Sequence, residues 1–186
     1  MQPQQRQTLL RVARGVIEAV VQARPWTRHK SDNPFFSERR GCFVTIKNRG
    51  RLRGCIGTFQ ADAPLLETVE RMAEAATGDP RFVFDRIRPS ELKQLEIEIS
   101  VLSPLKKTDD PLSLELGKHG IYIRRGPQAG CFLPQVATEL GWSKEQFLSH
   151  CCADKIGLKP DAWKDPSTEV LLFTAEVFSE GHSALS

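Results

Sequence analysis

The chain has 186 residues, of which 40% are hydrophobic and 26% are charged, and its formal net charge is +3. This composition can form the core of one compact domain and excludes intrinsic disorder as the main state. The sequence has no apolar run near the ~20 residues of a membrane span and no secretory leader at its start, so we expect a cytoplasmic protein without membrane contact. The sequence pI of about 8.7 falls short of the value typical of dedicated nucleic-acid binders.

The cysteine pattern predicts free thiols in a reducing compartment, because the count is odd and no secretory leader precedes it. The five cysteines are Cys42, Cys55, Cys131, Cys151 and Cys152. No pair has C-x-x-C spacing and the four histidines are scattered, so the sequence predicts no metal site. We also expect no tightly bound cofactor.

The first half of the chain predicts a helix, a hairpin, a second helix and a strand. Residues 1–7 are polar and are expected to be frayed. Apolar periodicity and turn residues give a helix over 9–23, strands over 42–46 and 52–56, a helix over 65–76 with Asp62 as its N-cap, and a strand over 95–101.

The second half predicts an excursion or small lobe within 104–120, followed by strands and helices and a frayed tail over 180–186. The expected elements are a strand over 121–124, a helix over 134–140, a helix after Ser143 and a strand over 169–178. The strands are linked by hairpins rather than by crossover helices, which favours an α+β fold with an antiparallel sheet. The whole chain, 1–186, is expected to be a single domain.

An internal repeat relates the two halves. Residues 46–55 resemble residues 123–131: each segment turns at glycine, returns through Gly-Cys and continues into a helix. This similarity predicts a duplicated strand–strand–helix unit.

The segment 51–58 has the highest density of chemically useful residues. Gly54 and Gly57 permit close approach of a ligand to the backbone. Residues two apart share a face of a strand, so Arg53 is expected to lie beside Cys55, favour its thiolate and make it a candidate nucleophile. The alternative is that Cys55 is a small core residue and that the glycines only shape a bulge; the spacing by itself favours this alternative.

Basic residues alternate through the same hairpin, at Lys47, Arg49, Arg51 and Arg53. A strand that presented all four on one face would form a phosphate-contacting surface. The turn expected at 48–50 and the modest net charge instead favour a solvated hairpin tip.

Two further segments contain polar residues at helix ends. Asp79 and Arg81 follow the second helix and form either a structural pair or a pair that orients Cys55. Gln135 follows Pro134 in the first turn of a later helix, where it bonds either a ligand or a neighbouring loop.

Several motifs together resemble the AMMECR domain family, whose prokaryotic members are called AmmeMemoRadiSam system protein A. The motifs are Leu-Arg-Gly-Cys-Ile-Gly-Thr at 52–58, Ala-Ala at 75–76, Asp-Pro-Arg-Phe at 79–82, Glu-Ile-Ser-Val-Leu-Ser-Pro at 98–104 and Leu-Pro-Gln-Val-Ala at 133–137. The resemblance extends from the first helix to Phe178, and the 52–58 motif is highly specific.

The resemblance implies a barrel-like antiparallel sheet built from two repeats, with a smaller lobe, and a radical SAM protein and a Memo-like protein as partners. It supplies no settled reaction. The site it implies comprises Arg53, Gly54, Cys55, Gly57 and Thr58, with Asp79, Pro80, Arg81, Pro134 and Gln135 nearby.

Three functions remain open at this point. The favoured one is a ligand- or partner-binding module that acts with the radical SAM and Memo-like proteins. The first alternative is a Cys55-dependent enzyme of the same pathway, with Arg53 as a second catalytic candidate. The second alternative is an RNA-binding protein that uses the basic hairpin 47–53, so nucleic acid is the least favoured partner.

Overall fold

The computed structural model describes residues 1–59 and 61–180, which fall into two compact units. The first unit contains Met1–Leu102 and the chain from Glu176 onward; the second contains Ser103–Ala175. The helices and strands, in chain order, are α1 Pro3–Val21, β1 Cys42–Asn48, β2 Arg51–Thr58, α2 Leu65–Thr77, β3 Leu95–Leu102, β4 Lys106–Thr108, β5 Gly120–Arg125, β6 Gln128–Phe132, α3 Pro134–Leu140, α4 Lys144–His150, β7 Glu169–Phe173 and β8 Ala175–Ser179.

The strands form two four-stranded sheets, with the orders β2-β1-β3-β8 and β4-β7-β5-β6. In the first sheet β1 pairs antiparallel with β2 and β3, and in the second β5 pairs antiparallel with β6 and β7. The α+β class is therefore confirmed. The strand expected over 169–178 is interrupted at Thr174, and its halves join different sheets.

The two sheets have the same internal order, which supports the duplicated unit. In each sheet, the first strand of a hairpin pairs with the strand that comes after the next helices in the chain. This gives the orders β2-β1-β3 and β6-β5-β7. The register also corresponds, since Ile46 pairs with Gly54 and Ile123 pairs with Gly130. The second unit is larger than the lobe expected within 104–120, because it contains this complete second copy.

The first unit buries the apolar stripes of α1 and α2 with residues of β1 and β3. Its largest fully buried side chains include Leu9, Ile17, Ile46, Ile97 and Ile99. Alternation along β3 therefore predicted its buried face correctly. The core of the second unit is formed by residues of β5, β6, β7 and the helices α3 and α4.

Two boundaries differ from the sequence expectation. Residues 3–7, expected to be frayed, are the first turns of α1, because the Gln2 N–H donates to Gln5 Oε1 at 2.8 Å and the N-terminal ammonium pairs with Glu176 at 3.0 Å. The N-cap of α2 is Pro64 instead of Asp62, whose carboxylate pairs with Arg71.

At the other end, Glu180 is anchored by Arg14, and residues 181–186 of the expected tail lie outside the described residues. Within the described part of the chain, no helix has both the length and the apolar character needed to cross a membrane.

Candidate functional site

The two glycines of β2 have packing roles. A Cβ atom on Gly54 would lie 2.1 Å from the carbonyl oxygen of Ala76 in α2, so only glycine permits this close approach of the helix. A Cβ atom on Gly57 would lie 2.2 Å from the ring of Phe43 on β1. Thr58 ends β2 and pairs with Cys42. Packing therefore accounts for glycine at both positions. Ligand binding by Gly54, Gly57 and Thr58 remains a prediction.

Arg53 is buried and links β2 to the segment 85–91. Its side chain is 3% exposed, and its guanidinium donates to Asp85 Oδ2 at 2.8 Å, to Glu91 Oε2 at 3.2 Å and to the Arg86 carbonyl at 3.2 Å. The Arg53 hydrogen bond lowers the pKa of Asp85. Both terminal nitrogens of the guanidinium are thus used by this segment, and among the described residues the Cys55 Sγ bonds Thr45 instead; an effect of Arg53 on the thiol stays a prediction.

Cys55 is the partly exposed centre of the site. Its Sγ lies 3.2 Å from the Thr45 hydroxyl on β1, the residue directly opposite in the strand register. Its backbone N–H donates to Asp79 Oδ2 at 2.9 Å, and its carbonyl accepts from Arg81 Nη2 at 3.0 Å. Because β2 is an edge strand of its sheet, the Asp79–Arg81 pair satisfies backbone groups that a neighbouring strand would otherwise bond.

Asp79 is a buried carboxylate that is fully engaged by these contacts. Its side chain is 1% exposed and accepts from Arg81 Nη2 at 2.6 Å and from the Arg81 backbone N–H at 3.0 Å. The Arg81 hydrogen bond, with further bonds from the backbone of Cys55 and Arg81, lowers the pKa of Asp79 to about 2 against the opposing effect of burial. At neutral pH this group is ionised and is committed to holding the loop.

Arg81 is the cation that lies beside Cys55. Its side chain is 57% exposed, and in the described part of the chain Nη1 makes no hydrogen bond. The Asp79 hydrogen bond raises the pKa of Arg81, and the neighbouring Cys55 contributes in the same direction. The guanidinium therefore presents one free edge next to a partly exposed thiol.

Pro134 and Gln135 lie in the second unit, where they begin α3. Pro134 is buried at the first helical position, and the Gln135 carbonyl accepts from the Thr138 hydroxyl at 2.8 Å. These contacts account for the start of the helix. A position of Gln135 near Cys55 stays a prediction.

The other four cysteines lie in surroundings that disfavour the reactive thiolate form. Burial raises the pKa of Cys42 to about 12 and that of Cys131 to about 11, and it also raises the pKa of Cys151 and Cys152. Within the described ranges, no group of three or more His, Cys, Asp or Glu side chains is arranged to hold a metal ion.

Sequence reasoning missed Thr45 as a member of the site, and it named Arg81 as a ligand-binding candidate without predicting its hydrogen bond to Cys55. The hairpin register was the available signal for Thr45, since a tight turn at 48–50 places residue 45 near residue 55. The contact between Arg81 and Cys55 depends on the path of the loop after α2, which has no periodic sequence signal.

Comparison with known proteins places these residues in a recognised family. The AMMECR1 family model matches residues 10–178. Protein MK0488 of Methanopyrus kandleri is 45% identical over 92% of this chain and 86% of its own length. A protein of Methanothermobacter thermautotrophicus is 41% identical over 93% of each chain. The crystal structure of an uncharacterised protein, PH0010 from Pyrococcus horikoshii, is similar with a TM-score of 0.79 and 34% identity, over 94% of this chain and 90% of that chain.

Proposed function

The chain belongs to the AMMECR1 family, and on this premise we propose that it is a binding module that acts with a radical SAM protein and a Memo-like protein. Its contact site is the Cys55 thiol with the free edge of Arg81. The observation that carries the proposal is the way Asp79 and Arg53 are used: their polar atoms hold the protein backbone and other side chains instead of activating the thiol.

The arrangement suits binding better than nucleophilic catalysis. A thiol that is activated by proton transfer needs a general base within hydrogen-bond reach. Among the described residues, the hydrogen-bond partner of the Cys55 Sγ is the Thr45 hydroxyl, which is not a base at neutral pH. The Asp79 carboxylate already accepts from Cys55 and Arg81, so it supplies no proton acceptor.

The free edge of Arg81 indicates the chemistry of the ligand. A guanidinium with open donors binds carboxylate or phosphate oxygens through charge-assisted hydrogen bonds. The Asp79–Arg81 ion pair fixes this group against the edge of β2, so little side-chain freedom is lost on binding. We therefore assign an anionic group, such as the carboxylate of a ligand or of a partner's tail, to this site.

Isothermal titration of the purified chain against the Memo-like and radical SAM proteins of the same genome tests the proposal. We expect Arg81→Gln to weaken the complex by about tenfold and Cys55→Ser to retain affinity. The matched control is Arg71→Gln, which removes an exposed arginine that is also ion-paired with an aspartate. Failure of both proteins to bind the wild-type chain would contradict the proposal, and so would unchanged binding by a folded Arg81→Gln variant.

A Cys55-dependent enzyme is the second candidate, favoured by the closeness of the Arg81 guanidinium to Cys55. This candidate predicts that Cys55→Ser abolishes turnover in the reconstituted system while the complex still forms. Intact-mass analysis after incubation with both partner proteins would then show a covalent adduct on the wild-type chain and none on Cys55→Ser. Turnover that survives Cys55→Ser would exclude this candidate.

A further inference from the structure

A second surface of the first unit exposes an aromatic side chain among arginines. Phe84 is fully exposed and Val83 is 46% exposed, although both are large apolar residues. The nearby exposed cations are Arg49, Arg51, Arg86 and Arg88. We name these six residues the Phe84 patch.

The Phe84 patch is held in place by the hairpin behind it. Asp85, the residue after Phe84, accepts from Arg51 at 2.7 Å and from the buried Arg53 at 2.8 Å. Glu91 bonds the Asn48 side chain at 2.8 Å on the same hairpin. The loop 83–88 is thus fastened to the end of β1 and β2 and is anchored by Ile87, which is buried in the core, whereas Val83 and Phe84 stay exposed.

Three arginines of the patch have no ion pair within the described ranges, namely Arg49, Arg86 and Arg88. Elsewhere in the first unit, several basic side chains are paired with carboxylates, as in Arg14 with Glu180 and Lys47 with Glu98. Unpaired guanidinium groups around an exposed phenylalanine form a surface that complements negative charge.

The backbone at Arg49 gives an independent indication. Arg49 has φ of 49° and Gly50 has φ of 78°, so the two central residues of the β1–β2 turn are left-handed. Asn or Gly is strongly preferred at the first of these positions, and a long side chain there is strained. Turn geometry does not explain the arginine, whereas a need for positive charge at the hairpin tip does.

We propose that the Phe84 patch docks an acidic protein surface that offers an apolar pocket to Phe84 and Val83. Aromatic anchors and arginines are the residue types that contribute most to protein–protein binding energy. The inference extends the proposed function by naming a contact surface distinct from the Cys55 site.

An RNA partner fits the patch less well. Base stacking uses flat aromatic faces and gains little from an aliphatic neighbour such as Val83.

Nuclear magnetic resonance of the isotope-labelled full chain tests the proposal with defined probes. The probes are a short peptide of alternating Glu and Leu, the same peptide with Lys in place of Glu, and a short single-stranded RNA. We expect the acidic peptide alone to shift the amide signals of residues 49–51 and 83–88. Shifts located elsewhere, or RNA binding at these residues in preference to the peptide, would overturn the proposal.

Three variants make the test specific. We expect Phe84→Ser to lower the affinity for the acidic peptide by about tenfold. Val177→Ser, at an exposed apolar residue of β8, should leave that affinity unchanged. Arg49→Asn should also weaken binding without lowering the melting temperature, because asparagine suits the turn. Wild-type affinity in a folded Phe84→Ser variant would refute the assignment.

The same measurements separate the two proposals. Cys55→Ser should leave peptide binding at the patch unchanged. If the acidic peptide binds the patch but neither partner protein binds the chain, the proposed function fails and the patch stands. If a partner binds through Arg81 and the peptide does not bind the patch, the proposed function stands and the Phe84 patch proposal fails.

Discussion

The Asp79→Asn substitution tests how the Cys55 segment is held. The Asp79 carboxyl has a pKa of about 2 against an ordinary value of 3.8. Each unit of pKa difference corresponds to about 1.4 kcal/mol, so ionised Asp79 stabilises the folded state by about 2 kcal/mol. Asparagine keeps the size of the side chain but removes the charge that Arg81 and the Cys55 N–H require. We therefore expect Asp79→Asn to lower the free energy of unfolding by about 2 kcal/mol at neutral pH.

The pH dependence of this loss identifies the carboxylate as its cause. The folded-state pKa is the lower one, so the stabilisation is complete above about pH 5 and is lost as the pH falls through 4 and then through 2. Urea denaturation of the wild type and of Asp79→Asn between pH 7 and pH 2 measures the difference in their free energies of unfolding. This difference should be constant at first and then shrink from ~2 kcal/mol to near zero. Asp62→Asn, at an exposed ion pair, should give a smaller loss. A difference that does not change with pH would refute the reasoning.

Three further predictions follow from the packing of β2. Gly54→Ala should destabilise the fold by at least about 2 kcal/mol, because the added Cβ meets the α2 backbone. Gly15→Ala, in an open helical position, should instead stabilise the fold by about 0.5–1 kcal/mol. Chemical denaturation measures both changes, and a Gly54→Ala variant as stable as the wild type would contradict the packing role. Timed alkylation with mass-spectrometric detection should find Cys55 modified first, since burial raises the pKa of the other four thiols; modification of Cys55 only after denaturation would count against its exposure. Arg53→Met should cost about 1–3 kcal/mol by leaving Glu91 without its buried partner, and a melting temperature equal to that of the wild type would contradict this.

Periodic segments of the fold were predictable from sequence. The buried stripe of α1 and the alternation of β3 follow directly from apolar spacing, and the Ser143 capping box begins α4 as expected. The division of the strands between two sheets was not predictable, because the break at Thr174 has no proline, glycine or charge run to indicate it. The start of α1 at Pro3 depends on the ion pair between the N-terminus and Glu176, a contact across the whole chain.

The site was predictable to the level of its segments but not of its contacts. The motif at 52–58 and the pair Asp79 and Arg81 were selected correctly as neighbours, since Asp79 and Arg81 both bond the backbone of Cys55. The influence of Arg53 on the thiol stays a prediction. Regular alternation would place Arg53 on the face of Cys55, but the register shifts at Arg53, and the carboxylates that bind its guanidinium come from the non-periodic segment 85–91.

Protection of Cys55 from alkylation by a bound partner tests the central claim most directly. Cys55 would be alkylated in the free chain and in the presence of saturating Memo-like or radical SAM protein, with Cys131 as an internal reference outside the proposed contact site. A binding module that contacts its partner through Cys55 and Arg81 predicts a Cys55 rate at least about tenfold lower in the complex, with Cys131 unchanged. An equal Cys55 rate in the free chain and in a demonstrated complex would contradict the account.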